Sequence, residues 1–73
     1  MESETTFALE QHNFIELHNL LKVTGICHSG GMAKMVISDG EVKVDGMVET
    51  RKRCKIRSGQ RVKFAQHTVV VTA

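Results

Sequence analysis

The side chains with the clearest chemical potential in this sequence are its lysines and arginines, which are unevenly distributed. The 73-residue chain has a net charge of only +2, yet residues 50–73 contain seven bases and no acid. Residues 1–21 contain no base and four acids, which are Glu2, Glu4, Glu10 and Glu16. Such asymmetry predicts a polyanionic partner, either a nucleic acid or an anionic membrane surface. The alternative is a solvated basic face that serves solubility.

The densest part of this charge is a predicted basic loop, residues 50–53, with the bases that follow it. Its candidate contact residues are Arg51, Lys52, Arg53 and Lys55. Bases in this arrangement bind phosphates strongly but specify sequence weakly. A second rank of candidates consists of Lys22, Arg57, Arg61 and Lys63. A loop that is merely solvated is the alternative here.

A different phosphate-binding signal lies at Ser29-Gly30-Gly31, where a helix is expected to begin. The first turn of a helix leaves amide N–H groups without partners and carries the positive end of the dipole. Two glycines there remove the side chains that would keep a phosphate at a distance. Lys34, one turn further on, adds a full charge. The segment therefore predicts a backbone phosphate site, the alternative being a flexible, capped helix start.

Other chemistries have little support in the residue types. Cys27, His28, Cys54 and His67 lack the spacing of a metal site, and no nucleophile held by a histidine is indicated. A domain of this length buries only about 60% of its unfolded surface, which leaves little room for a deep substrate cavity. We expect one domain, residues 1–73, with no catalysis, no metal, no cofactor and no small-molecule substrate.

Hydropathy and cysteine usage indicate the compartment. The longest apolar runs have only three residues, as in Met35–Ile37 and Val69–Val71, whereas a membrane-spanning helix needs ~20. Two cysteines are too few for a disulfide scaffold and fit reduced thiols. The acidic, polar start of the chain, Met1 to Thr6, is unlike a secretory signal. We therefore expect a cytoplasmic protein without membrane contact.

The elements that position the candidate residues begin with a possible strand and a helix. Thr5–Gln11 alternates in hydropathy and predicts a short strand in an N-terminal extension, residues 1–12. Asn13 followed by Glu16 resembles a capping box. It predicts an amphipathic helix that starts at Phe14 and ends just before Gly25.

The second predicted helix has clear signals at both ends. Ser29 is a good N-cap, and Gly40 is the residue type expected just past a helix C-terminus. Between them lies an apolar stripe of Met32, Ala33, Val36 and Ile37. Only the residues from Gly25 to His28 join the two helices, so the helices are expected to pack as a tight pair.

Beyond Gly40 the hydrophobic period changes from 3.6 to 2, which indicates strands. Asp45-Gly46 is a strong hairpin turn between Val42–Val44 and Met47–Val48. Three further strands are predicted at Lys55–Arg57, Arg61–Phe64 and Thr68–Thr72, with Gln66-His67 as a tight turn. If Val42, Val44, Ile56, Val62 and Phe64 face the core, the bases that face water are Lys43, Lys55, Arg57, Arg61 and Lys63. Spacing alone leaves open whether these bases form one patch.

These residues and spacings resemble a known family. The central part of the chain reads Gly25-x-x-x-Ser29-Gly30-Gly31-Met32-Ala33-Lys34-x-x-Ile37-x-x-Gly40-x-Val42-x-Val44-Asp45-Gly46. This pattern is similar to that of the S-four RNA-binding domain, also called the αL motif, and the likeness covers about residues 15–64. More narrowly, the chain resembles free-standing bacterial members of the YbcJ type in Leu20-Leu21-Lys22, Ser29-Gly30-Gly31, Ala33-Lys34 and Arg51-Lys52.

The predicted helix pair and strands indicate an α+β fold with a small, mostly antiparallel sheet, and the resemblance implies that a two-helix αL motif packs on this β-sheet and its β-hairpins. It implies a monomeric adaptor or accessory factor that binds structured RNA, such as ribosomal RNA, transfer RNA or a precursor. It also implies that Lys43 lies close to the basic loop. Two positions depart from the family pattern: Gly30 replaces the usual arginine, and Asp45 replaces the usual asparagine of the hairpin turn.

The aromatic residues favour one mode of RNA recognition. Phe7, Phe14 and Phe64 are all expected in the core, which leaves no exposed ring for stacking single-stranded bases. Contacts to phosphates and to the shape of a folded RNA are therefore expected. The predicted RNA-binding residues are Ser29, Gly30, Gly31, Lys34, Lys43, Arg51, Lys52, Arg53 and Lys55.

Two alternatives of other classes stay open. One is a protein-interaction module that binds an acidic partner through the same bases. The other is a duplex-DNA binder, although neither predicted helix is basic enough to be an obvious recognition helix.

Overall fold

The computed structural model describes residues 3–73, so Met1 and Glu2 of the predicted N-terminal extension lie outside the described residues. Within this range there are two helices, α1 (Leu17–Val23) and α2 (Gly30–Ser38). The strands are β1 (Ser3–Ala8), β2 (Ile15–Glu16), β3 (Val42–Val44), β4 (Met47–Val48), β5 (Lys55–Ile56), β6 (Arg61–Phe64) and β7 (His67–Thr72). The predicted α+β class is confirmed.

The strands form two sheets. Five of them form a sheet in the order β1-β7-β6-β3-β4, and β2 pairs with β5 in a separate two-stranded sheet. The β1–β7 pair is parallel, and the other pairs in residues 3–73 are antiparallel. The β3–β4 and β6–β7 hairpins are both present. The expected mostly antiparallel sheet beneath a helix pair is therefore confirmed.

One hydrophobic core joins the helices to both sheets. Leu17, Leu20 and Leu21 of α1 have no exposed surface. Burial of one such leucine side chain stabilises the fold by roughly 1.5–3 kcal/mol relative to leaving it in water. The other buried members of the core are Leu9, Cys27, Ala33, Val36, Ile37, Val42, Ile56, Val62, Val69 and Val71. Because these residues come from every part of the chain, the core forms only when the sheets and helices assemble together.

Strand β1 lies slightly earlier than predicted. It spans Ser3–Ala8 rather than Thr5–Gln11. Its parallel pairing with β7 sets Thr5 opposite Val69 and Phe7 opposite Val71. A parallel partner so distant in sequence cannot be identified from local alternation, because the pattern of period 2 contains no information on strand direction.

A strained turn ends the β1 segment. Glu10 and Gln11 have φ values of 50° and 78°, and the N–H of His12 donates to the Leu9 carbonyl at 3.2 Å. Two consecutive positive φ angles are typical of a type I′ turn, where glycine and asparagine are preferred. For other residues the left-handed conformation costs roughly 1–2 kcal/mol each. Contacts elsewhere in the fold must therefore hold this turn in place.

The start of α1 corrects the sequence prediction. The helix begins at Leu17, and its N-cap is Glu16, which makes no side-chain capping hydrogen bond. The predicted capping box of Asn13 and Glu16 is therefore wrong. Ile15 and Glu16 instead pair with β5, and this extended pairing keeps the backbone out of the helical conformation until residue 17.

The other helix boundaries agree with the sequence prediction. Gly25, just after α1, has a φ of 79°, and Gly40, just after α2, has a φ of 77°. The Ser29 hydroxyl accepts a hydrogen bond from the Met32 N–H at 3.1 Å, as expected of an N-cap. The predicted stripe of α2 faces the core, with Ala33, Val36 and Ile37 buried and Met32 packed against them.

The two hairpin turns differ in how well they were predicted. Asp45 and Gly46 have φ values of 51° and 85°, in agreement with the predicted turn. The second turn consists of Ala65 and Gln66 rather than Gln66 and His67. His67 is already part of β7 and pairs with Phe64.

The alternation along the strands is confirmed. Val42, Ile56 and Val62 are buried, and Val44 and Phe64 are half-buried against the core. The bases between them are all exposed: Lys43, Lys55, Arg57, Arg61 and Lys63.

The strained turn leads to a stability prediction. Gln11→Gly removes a left-handed non-glycine residue and is expected to raise the free energy of unfolding by about 1 kcal/mol. Urea denaturation monitored by circular dichroism measures this as a higher midpoint with an unchanged slope. The control is Asn13→Gly, an exposed site without a positive φ, which should lower stability or leave it unchanged. A lower midpoint for Gln11→Gly would contradict the assignment of strain.

Candidate nucleic-acid interface

The predicted contact residues at the start of α2 form the helix-start group, defined as Ser29, Gly30, Gly31 and Lys34. The Ser29 hydroxyl accepts a hydrogen bond from the Met32 N–H, and the Ser29 carbonyl accepts one from the Ala33 N–H at 3.1 Å. The amides of Gly30 and Gly31 therefore precede the first hydrogen bonds of the helix and have no acceptor within it. A Cβ added at Gly30 would meet no atom within 4 Å. The helix start is thus sterically open, and Lys34 is exposed beside it.

The basic loop is anchored to the start of α1. The N–H groups of Leu17 and His18 donate to the carbonyls of Cys54 and Lys52 at 2.9 and 3.1 Å. These carbonyls satisfy the amides that a side-chain cap would otherwise satisfy. The backbone of the loop is consequently held by α1, while the side chains of Lys52 and Arg53 remain exposed.

Arg51 is held by an acid of the preceding segment. Its Nε and Nη2 donate to the two carboxylate oxygens of Glu49, each at 3.0 Å, and its backbone N–H donates to the same carboxylate. These hydrogen bonds lower the pKa of Glu49 to about 2. Since the Arg51 side chain is 77% exposed and that of Glu49 only 16%, the pair presents its guanidinium to solvent.

Phe14 lies elsewhere than its sequence pattern predicts. It was expected in the core as part of α1, but it precedes β2 and is half-buried outside the hydrophobic core. The Lys55 ammonium lies 5.0 Å from the centre of its ring, and the Arg57 guanidinium lies 5.7 Å away. Both distances are within the range of cation–π contacts. Phe14, Ile15 and Glu16 show no alternation of period 2, so the local sequence holds no strand signal to set against the capping-box pattern.

The loop group, defined as Arg51, Lys52, Arg53, Lys55 and Arg57, thus occupies one continuous segment around β5.

Lys43 belongs to the other sheet, where it pairs with Lys63 across β3 and β6. Together with Arg61, these two lysines form the sheet-face group. The structure therefore distributes the predicted bases over separate elements, with Lys43 in the five-stranded sheet and the loop group around the two-stranded one. Lys22 is exposed in the last turn of α1.

Acids accompany the bases on the sheet face. Arg61 Nη2 donates to Glu4 at 2.9 Å. Asp45, the residue that departs from the family pattern, accepts from the Arg61 backbone N–H at 2.9 Å and from Gln60 Nε2 at 3.2 Å. The Asp45 carboxylate therefore ties the β3–β4 turn to the start of β6.

Other chemistries receive no support from the described part of the chain. No three His, Cys, Asp or Glu side chains in residues 3–73 are grouped so as to hold a metal ion. Burial raises the pKa of the Cys27 thiol, and burial and the neighbouring Glu49 raise that of Cys54, so both thiols are poor nucleophiles. Neither α1 nor α2 is long and apolar enough to cross a membrane.

The fold is that of a known class, the S4 domain. The chain belongs to the S4 domain family, whose family model matches residues 7–72. The resemblance stated from the sequence is therefore confirmed.

Similarity to particular proteins is also high. The chain is 57% identical over 68 residues to YbcJ of Escherichia coli (strain K12), which is named as a candidate RNA-binding protein; the match covers 93% of this chain and 97% of the relative. YbcJ of Shigella flexneri matches with the same identity and coverage. The solution structure of YbcJ from E. coli superimposes with a TM-score of 0.75 at 56% identity, covering 94% of this chain and 87% of that one. That structure is described as having an αL motif involved in RNA binding.

The Glu49–Arg51 pair leads to a prediction on pH dependence. In Arg51→Ala the pKa of Glu49 should rise from about 2 part of the way to its ordinary value of 4.5, because the backbone N–H of residue 51 still donates. The lowered pKa in the folded state means that the pair stabilises the fold fully above pH 4.5 and loses this effect as the pH falls through about 2. The stability difference between the wild type and Arg51→Ala should therefore shrink over this range.

Carboxyl carbon NMR titration of Glu49 measures the pKa directly, and urea denaturation at several pH values measures the stability difference. Arg53→Ala removes an equal charge from the same loop and should leave the Glu49 pKa near 2. A Glu49 pKa that stays there in Arg51→Ala as well would show that Arg51 is not the cause.

Proposed function

We propose that this protein binds structured RNA, such as ribosomal RNA, transfer RNA or a precursor, as a non-catalytic, monomeric cytoplasmic adaptor or accessory factor. The whole chain, residues 1–73, would act as one RNA-binding unit. The names and descriptions of its YbcJ relatives support RNA as the ligand. The observation that carries the proposal is the loop group, whose exposed cations project from a backbone held by α1.

Rigid presentation of cations is what binding to a folded RNA requires. A flexible basic tail would bind any polyanion, whereas an anchored loop matches phosphates at defined spacing. The open start of α2 adds two backbone N–H groups and Lys34 as a second phosphate contact. We propose the RNA-contacting residues to be Ser29, Gly30, Gly31, Lys34, Lys43, Arg51, Lys52, Arg53 and Lys55, supported by Lys22, Arg57, Arg61 and Lys63.

A salt titration tests this proposal. If the protein neutralises about five phosphates of an RNA hairpin, the logarithm of its affinity should fall with the logarithm of salt concentration with a slope of about −4.5. Fluorescence anisotropy with a labelled hairpin measures the slope, and duplex DNA of the same sequence is the competitor. Failure to bind any structured RNA at low salt would overturn the proposal, and tighter binding of the DNA would favour the duplex-DNA alternative.

A charge-matched pair of variants tests the loop. Lys52→Gln/Arg53→Gln removes two phosphate contacts and should reduce the steepness of the slope by about 1.8. The control Ser38→Glu/Ala73→Glu changes the net charge by the same amount at exposed positions outside the proposed surface, and it should keep the wild-type slope. Equal effects of the two variants would show that net charge alone, rather than the loop, determines binding.

An arginine at position 30, the family's usual residue, should strengthen binding, because its guanidinium adds a phosphate contact while Gly31 keeps the backbone open. Gly30→Arg has room for its side chain and needs no positive φ, so the fold should be at least as stable in thermal denaturation. RNA affinity should rise several-fold at moderate salt, with a slope steeper by about 0.9. Ser38→Arg adds the same charge at the other end of α2 and should have a much smaller effect. An equal gain from both variants would argue against a phosphate site at the helix start.

A further inference from the structure

An open groove lies beside the loop group and is not explained by phosphate binding. Its volume is about 520 Å³, which falls within the range of small-molecule sites. Phe7, Leu9 and Ile15 form apolar walls, while His12, Glu16 and Asn19 contribute polar groups. Phe14 also lines this groove. A nucleobase, with its flat apolar faces and polar edges, matches such a lining.

Phe14 connects the groove to the cations. Its ring borders the groove and also carries the Lys55 ammonium at 5.0 Å and the Arg57 guanidinium at 5.7 Å. These two cations follow directly on the basic loop in the chain. An RNA backbone that runs along the loop group would therefore pass the mouth of the groove with its phosphates on Lys55 and Arg57.

The strained turn forms part of the groove wall. Glu10 and Gln11 take positive φ values immediately before His12, and the hydrogen bond from His12 to Leu9 closes the turn. Leu9 and His12 are both lining residues. Backbone strain that the fold retains is often found at binding sites, where it holds a side chain in a required position. Here it holds an imidazole, which can donate and accept hydrogen bonds, at the groove.

We propose that this groove binds one unpaired nucleotide of the RNA, with the base against Phe14 and its phosphate on Lys55 and Arg57. His12 and Asn19 supply hydrogen bonds to the base edge. This inference rests on the proposed RNA-binding function and deepens it, since the target becomes a helical RNA with a bulged or flanking unpaired nucleotide. It also revises the expectation that no aromatic ring is available for a base.

The test compares two labelled RNA hairpins that differ by one bulged uridine. The wild-type protein should bind the bulged hairpin at least fivefold more tightly in fluorescence anisotropy, which is the lower end of the effect of stacking one base on an aromatic side chain. Phe14→Leu keeps an apolar side chain but removes the ring, and it should reduce the affinity ratio to about one. Phe14→Tyr retains the ring and should retain most of the preference.

A matched pair of asparagine variants tests the groove without altering the core. Asn19→Ala removes a lining amide and should lower the preference for the bulged hairpin about threefold. Asn13→Ala removes the same group from an exposed residue that does not line the groove, and it should keep the wild-type ratio. Circular dichroism melting verifies that each variant is folded.

The possible outcomes separate this inference from the proposed function. If neither hairpin binds, the proposed function fails. If both bind equally well, or if Phe14→Leu keeps the preference, RNA binding stands and the nucleotide site is overturned.

A direct probe is uridine monophosphate, with ribose 5-phosphate as the control that lacks the base. In NMR spectra of the full chain, resonances of His12 and Asn19 should shift with uridine monophosphate and remain unchanged with ribose 5-phosphate. Equal shifts with both compounds would show a phosphate site and overturn base recognition. The absence of shifts with either compound would also overturn the proposal.

Discussion

The contact between the basic loop and the start of α1 determines most of the proposed RNA-binding surface. The N–H groups of Leu17 and His18 donate to the carbonyls of Cys54 and Lys52 at 2.9 and 3.1 Å. A helix needs acceptors for its first amides, and here a distant loop supplies them. The same contact orders the loop, because its carbonyls are held while its basic side chains remain in solvent. The β2–β5 pairing extends this contact. It places Phe14, the residue before β2, beside the cations of Lys55 and Arg57.

The small net charge conceals a surface on which acids orient bases. Glu49 holds the guanidinium of Arg51 through two hydrogen bonds, and Glu4 pairs with Arg61. The Glu4–Arg61 pair is exposed on both sides and adds little stability, whereas Glu49 is mostly buried. Both pairs restrict where the cations lie. Asp45 acts differently, because its carboxylate accepts a hydrogen bond from the Arg61 backbone N–H at the start of β6 rather than from a basic side chain. The acid at this departure from the family pattern therefore has a structural partner.

The two helices show why some elements could be predicted from the sequence and others could not. Helix α2 has its cap, its apolar stripe and its terminating glycine within twelve consecutive residues, from Ser29 to Gly40, and each signal acts locally. Helix α1 also had a local signal, the capping box at Asn13 and Glu16. Pairing with β5, about forty residues further along the chain, overrides that signal. A local pattern cannot weigh such a competing partner, so the helix start and the position of Phe14 were wrong together.

The sequence by itself determined the α+β class, the outward direction of the bases along the strands, the open start of α2 and the family. These properties depend on residue type and on spacing within a few positions, which set backbone conformation and side-chain direction locally. Only the tertiary structure decided which bases lie on one sheet and which on the other, that β1 runs parallel to β7, and that Phe14 meets Lys55 and Arg57 beside a groove. The physical reason is that pairing between distant segments depends on the shared core that both must bury, and no short stretch of sequence contains that information.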